Sequence, residues 1–136
     1  MKQDSNGYKL HKNGNKTWKN SAGQYHRIDG PAVEFTDGHK EWWFNGQRHR
    51  TDGPAIEEAD GTKYWYINDQ RHRTDGPAVE FANGDKCWYI HGQLHRTNGP
   101  AIQEADGTKY WYFKGERISE KEYYSKDFQV KIVMES

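Results

Sequence analysis

The sequence predicts an all-β repeat protein: an elongated antiparallel β-meander of 23-residue hairpin units, closed by a short C-terminal helix/strand cap. Three observations carry this. The pair His-Arg recurs at 26–27, 49–50, 72–73 and 95–96, a constant step of 23 residues. All four prolines (Pro31, Pro54, Pro77, Pro100) keep the same step, as do Trp42, Trp65, Trp88 and Trp111. Turn signals built on Gly and Asn punctuate each unit twice, and a fixed period of this size marks a stacked repeat architecture.

Composition narrows the alternatives. Leu, Ile, Val and Phe supply only 18 of the 136 residues, a share that would point to disorder in a strongly charged chain. Here the net charge is zero, and 6 Trp and 9 Tyr add apolar area that the aliphatic count omits. Balanced charge removes the electrostatic grip of general nucleic-acid binders and of proteins held on anionic membranes. No apolar run has transmembrane length, and Met1-Lys2-Gln3-Asp4 lacks the apolar stretch of a signal peptide, so a cytoplasmic location is expected. The single cysteine, Cys87, allows no internal disulfide.

Taken in order, residues 1–25 are a degenerate opening repeat. Asn13-Gly14 and Trp18 imitate later turns and tryptophans, whereas Ala22-Gly23 comes one residue late relative to them. Terminal repeats are atypical because they cap the stack. Residues 26–118 hold four repeats of one overall domain. Each begins His-Arg, passes through Asp-Gly-Pro-Ala or Asn-Gly-Pro-Ala, and enters a short extended run such as Ala32-Val33-Glu34-Phe35. Asp37-Gly38, Asp60-Gly61, Asn83-Gly84 and Asp106-Gly107 then read as two-residue type I′ hairpin turns. An aromatic strand follows, and Asn45-Gly46, Asn68-Asp69, His91-Gly92 and Lys114-Gly115 form a second turn. Units one and three share Pro-Ala-Val-Glu-Phe, and units two and four share Glu-Ala-Asp-Gly-Thr-Lys-Tyr-Trp-Tyr, giving a 46-residue super-period. Residues 119–136 cap the end. Ser119 and Glu122 have the form of a capping box, so a short helix starts at Glu120. Beyond it Phe128, Val130, Ile132 and Met134 favour a strand, while Tyr124, Phe128 and Ile132 suit a continued helix.

Two-residue turns would fix which side chains share a face, because facing alternates with period 2. Val33 would then pair with Trp42, Ile56 with Trp65, Val79 with Trp88 and Ile102 with Trp111. His49, His72 and His95 join this face, which reads as core. The opposite face carries Ala32, Ala55, Ala78 and Ala101, with Trp43, Tyr66, Tyr89, Tyr112, Arg48, Arg50, Arg71, Arg73 and Arg96. It reads either as a presented surface or as the other half of a two-sided core.

The repeated histidines do not form a metal site. Equivalent residues lie two strands apart, roughly 10 Å, whereas ligands of one zinc sit about 2 Å from the ion. Each is expected to stack on its unit's tryptophan with a ring nitrogen bonded to backbone. Asp29, Asp52, Asp75 and Asn98 are expected to bond the loop backbone, a role Asn fills as well as Asp. No catalytic set, cofactor motif or phosphate-binding loop is present, and Cys87 is incidental.

The paired aromatics and Gly-ended turns, Trp65-Tyr66-Ile67-Asn68-Asp69 and Trp88-Tyr89-Ile90-His91-Gly92 with their counterparts Trp42 to Gly46 and Trp111 to Gly115, resemble the MORN repeat family. The likeness is greatest to the variant repeats of bacterial and phage-encoded proteins, and it covers about residues 8–118. The family's usual Gly-x-Gly stretch is replaced here by His-Arg-x-Asp-Gly-Pro-Ala. The resemblance implies a sheet of hairpins used as an interaction surface, with no shared catalytic residue.

Sequence therefore leads to a non-enzymatic binding protein. Its expected partner is a protein, engaged by the aromatic and arginine face formed by Trp43, Tyr66, Tyr89, Tyr112, Arg48, Arg50, Arg71, Arg73 and Arg96. Similarity to small phage proteins extends this to a phage or bacterial inhibitor of a host factor. The alternative is a sponge for a small nucleotide-like ligand, and the third reading is a hydrolase using the His-Arg-Asp loops. A homo-oligomer is compatible with each.

Overall fold

The computed structural model describes residues 7–136. It is an antiparallel β-meander of 11 strands with two C-terminal helices, and it divides into two compact units between Gln70 and Arg71. That division falls within one residue of the start of the third repeat, so each unit holds one 46-residue super-period. In the first unit the meander runs through strands Tyr8–Leu10, Lys16–Trp18, Val33–Glu34, Lys40–Glu41, Ile56–Glu57 and Lys63–Tyr64. In the second it runs through Val79–Glu80, Lys86–Cys87, Ile102–Gln103, Lys109–Phe113 and Glu116–Ile118.

Each repeat makes two different hairpins. The first has a three-residue loop: Phe35 N–H bonds His39 O at 2.9 Å, with Thr36, Asp37 and Gly38 between them. Only Gly38 takes a positive φ (99°), so this is a type I turn followed by a glycine bulge, not the type I′ turn expected. The Asp37 carboxylate accepts from His39 N–H at 2.9 Å and closes the loop. One added residue shifts the register by one. Val33 consequently lies opposite Glu41, Ile56 opposite Tyr64, Val79 opposite Cys87 and Ile102 opposite Tyr110, which corrects the Val/Ile–Trp pairs.

The second hairpin follows expectation. Asn45 (φ 47°) and Gly46 (φ 80°) form a two-residue turn, with Trp43 opposite Arg48 and Phe44 opposite Gln47. In each unit these hairpins leave the meander and build a second lane. In the first unit Gly46 N–H bonds Tyr25 O and Asp69 N–H bonds Arg48 O; in the second Gly92 N–H bonds Arg71 O and Gly115 N–H bonds Leu94 O.

Where the chain passes between lanes, space is tightest. Ala32, Ala55, Ala78 and Ala101 are fully buried, so the alanines belong to the core and not to the presented face predicted for them. Ala55 shows why: its N–H bonds Tyr64 O at 2.8 Å and its carbonyl accepts from Trp42 N–H at 2.6 Å. A methyl group is all that such close backbone approach leaves room for.

The C-terminal cap is helical throughout. Helix α1 (Glu120–Tyr123) starts where Ser119 Oγ accepts from Glu122 N–H, and α2 (Lys126–Glu135) starts at a second cap, Ser125, which accepts from Phe128 N–H. The strand expected over 127–134 is not formed, because Phe128 and Ile132 are buried at helical spacing while Val130 and Met134 are exposed. Phe128 and Ile132 join Trp111, Phe113 and Tyr123 in an apolar cluster, with Ile118 against it. The fully buried Tyr123 donates its hydroxyl to Arg96 O at 2.6 Å and accepts from Gly99 N–H at 3.3 Å. No helix of the described residues is long and apolar enough to cross a membrane.

Candidate functional site

The first recurring constellation is an arginine clamp. Arg27 Cζ lies 3.8 Å from the Trp18 ring centroid, Arg50 Cζ 3.8 Å from Trp42, and Arg96 Cζ 3.8 Å from Trp88. Each arginine therefore stacks on the tryptophan of the repeat before its own. The loop that follows it supplies the bonds. Nε donates to Asp29, Asp52, Asp75 or Asn98 Oδ1, and Nη1 donates to the carbonyl of Pro31, Pro54, Pro77 or Pro100. A Cβ on Gly53 would stand 2.9 Å from Arg50 Cζ, so glycine there gives the guanidinium its clearance and is not called for by its φ. The motif His-Arg-x-Asp-Gly-Pro thus reads as one device: a planar cation, two acceptors at fixed positions, and a backbone stripped of side chain between them.

Two expectations change with this. Arg50, Arg73 and Arg96 are loop-clamp residues, and Arg50 and Arg96 face Trp42 and Trp88 instead of the tyrosine row. Asp29, Asp52, Asp75 and Asn98 bond arginine, whereas the backbone bond foreseen for them is made by Asp37, Asp60, Asn83 and Asp106 in the first hairpin. The Arg50 guanidinium, by hydrogen bond and by charge, holds the Asp52 carboxyl below the usual carboxylate range.

The backbone bond foreseen for each repeat histidine is made, but the ring contacts differ from the tryptophan stacking expected. Nδ1 of His26, His49, His72 and His95 accepts from the backbone N–H of Asn45, Asn68, His91 and Lys114 at 2.8–3.0 Å. The ring contacts include His26 with Phe44 (4.6 Å between centroids), His72 with His91 (4.4 Å) and His95 with Phe113 (4.8 Å), none of them with a tryptophan. An Nδ1 acceptor places the proton of the neutral ring on Nε2. Burial, with the adjacent His91 for one and Lys114 for the other, lowers the pKa of His72 and His95.

The second constellation lies on the hairpin lane. In the first unit Arg48 Cζ sits 4.5 Å from the Tyr66 ring and 5.7 Å from Trp43, and its Nε donates to Asp69 at 2.8 Å. Trp43 Nε1 donates to Glu41 at 2.9 Å. Burial works against the Arg48 charge, yet the Asp69 bond and the Tyr66, Asp69 and Glu41 fields carry its pKa above the ordinary value. In the second unit Arg71 Nη1 donates to the Tyr89 hydroxyl at 3.3 Å, and Tyr112 lies opposite Arg117. Trp43, Tyr89 and Tyr112 are half-buried, but Tyr66 is only 6% exposed, so Tyr66 is covered where a presented ring was expected.

A groove lies between the two clamps of each unit. One, of about 500 Å³, is lined by Arg27, Asp29, Trp42, His49, Arg50 and Asp52 among others. The other, of about 630 Å³, is lined by the residues 46 positions on, Arg73, Asp75, Trp88, His95, Arg96 and Asn98, together with Ser136. The sequence held the signal for these clamps, since Arg, Asp, Gly, Pro and Trp keep one period. Their pairing, however, joins residues of neighbouring repeats.

Compared with known proteins, the chain matches no family model and no curated protein.

Proposed function

We propose that this chain is a non-enzymatic binding protein whose hairpin lane engages a partner protein. The observation that carries the reading is the arginine–aromatic pairing repeated in both units: Arg48 over half-buried Trp43 and buried Tyr66, Arg71 over half-buried Tyr89. Arg48 keeps 35% of its side chain exposed, and Phe44 beside it is 44% exposed. Rigid aromatic rings with pre-oriented arginines are the side chains that dominate protein interfaces. The likeness to MORN-type variant repeats supports the same use of the scaffold. Further support comes from the motif's polar groups: His Nδ1, the Arg fork and the loop Asp are all engaged within the fold, as scaffold residues are.

Surface variants test it. Trp43→Ala and Tyr89→Ala, each shown folded by circular dichroism, are used beside wild type as bait on lysate of the cell that makes the protein. A protein recovered by wild type and lost by both variants supports the reading. Recovery that is indifferent to both variants would sink it.

A further inference from the structure

The two grooves are built from equivalent residues, yet their charges differ. In the first, Arg27 pairs with Asp29 at 3.1 Å and Glu34 at 3.2 Å, and Arg50 pairs with Asp52 at 2.9 Å and Glu57 at 3.6 Å. Each cation there faces two carboxylates. In the second, Arg73 is likewise held by Asp75 at 2.9 Å and Glu80 at 2.8 Å. Arg96 is the exception. The sequence places Asn98 where the other loops have Asp, and Gln103 where the other repeats have Glu. Its Nε donates to the neutral Asn98 amide oxygen at 3.1 Å and its Nη1 to the Pro100 carbonyl at 3.0 Å, while the Trp88 ring lies 3.8 Å away. Arg96 makes no ion pair among the described residues. Neutral residues thus stand at both counter-charge positions of one cation, while its stacking and its fork geometry match those of the other repeats.

We propose that the groove between residues 73–76 and 95–98 is a binding site for an organic carboxylate, with Arg96 as its counter-ion. Nε and Nη1 are occupied, so Arg96 meets the ligand through its remaining N–H groups. The other donors lining the groove are suited to the same anion. His95 carries its proton on Nε2 because Nδ1 accepts from Lys114 N–H, and the Trp88 indole N–H bonds no group of the described residues. Ile90 and the Trp88 ring give an apolar wall for the carbon skeleton, and about 630 Å³ holds more than a bare ion. Arg96, a lining cation with no ion pair among the described residues, matches a monoanion. The exposed Asp75 carboxylate on the same groove opposes a doubly charged phosphate. Burial also lowers the pKa of Arg96, the direction expected for a cation that gains from a counter-charge. The site is separate from the hairpin lane and stands whether or not that lane binds a protein.

The test follows the Trp88 indole and Arg96 Nε resonances of the ¹⁵N-labelled full chain during titration. The probes are N-acetylglutamate amide, a blocked acidic tetrapeptide of sequence Ala-Glu-Phe-Ala, and inorganic phosphate. Saturable shifts at Trp88 and Arg96, with Trp42 unmoved, are expected for the carboxylates. Tighter binding of the peptide marks a polypeptide source, and equal binding marks a free small acid. Asn98→Asp with Gln103→Glu rebuilds the arrangement of the other loops, so it folds, and it is expected to weaken binding about tenfold or more as the charge is reclaimed. Asp52→Asn with Glu57→Gln is expected to create a second site at Trp42. Unsaturable shifts, stronger binding of phosphate, or unchanged affinity in the Asn98→Asp/Gln103→Glu variant would overturn the proposal.

Discussion

Arg48 and Arg50 stand two residues apart and lead opposite lives. Arg50 is 22% exposed, stacked at 3.8 Å on Trp42, and forked onto Asp52 and the Pro54 carbonyl of its own loop. Arg48 is 35% exposed, lies over Tyr66 and bonds a single carboxylate, Asp69. The difference is one of geometry more than of charge. Arg50 meets acceptors fixed to backbone within four residues, so ordering it costs little conformational entropy for each bond gained. Arg48 meets a side chain across a hairpin, in water, where an ion pair contributes little. The same residue type is a rivet in one row and a contact in the other.

The largest expected effect comes from breaking the rivet. Arg50→Ala strips Trp42 of its stacking partner and leaves the Pro54 carbonyl without its donor, and should cost about 2–3 kcal/mol in urea unfolding. Gly53→Ala, which drives a Cβ to within 2.9 Å of Arg50 Cζ, should destabilise comparably. Arg50→Lys sharpens the point, because it keeps the charge and loses the planar fork. It should still lose about 1–2 kcal/mol if geometry dominates. On the other row, Arg48→Ala should cost under about 1 kcal/mol. If the lane is the interface, that variant should also lose more than about tenfold in partner affinity by calorimetry.

Acid gives an intermediate effect. His72 and His95 have pKa values lowered in the folded state, so the unfolded chain binds more protons as pH falls. Their contribution is fully present above the ordinary histidine pKa of about 6.5 and is lost as pH falls below it. Melting temperature should therefore drop between pH 7.5 and 5, and His95→Gln should flatten part of that slope. The smallest effect is expected for Asp52→Asn, since Asn98 already holds an arginine Nε in the same way. Its melting temperature at pH 7 should match wild type by calorimetry.

Some of this was legible in residue order because it is local. The Asn45-Gly46 turn, the Ser119 cap and the backbone bond to each histidine ring rest on conformational preferences or on short, repeated spacings. The first hairpin was misread because Asp-Gly serves both a type I′ turn and a bulged three-residue loop. The choice shifts every facing residue by one, which is why Val33 meets Glu41 and not Trp42. The clamp was missed for another reason. Arg50 finds Trp42 only after the second hairpin has turned the chain back, and two side chains in different elements carry no local signature of their meeting.

By itself the sequence determined the period, the number of hairpins, the glycine-borne turns and the capped end, since backbone sterics and turn chemistry act over a few residues. Tertiary structure alone decided which arginine meets which ring, why alanine must fill each lane crossing, and which of four similar loops keeps an unbalanced charge. Those outcomes depend on packing distances between repeats, where one residue of register or one missing carboxylate changes the neighbour a side chain finds.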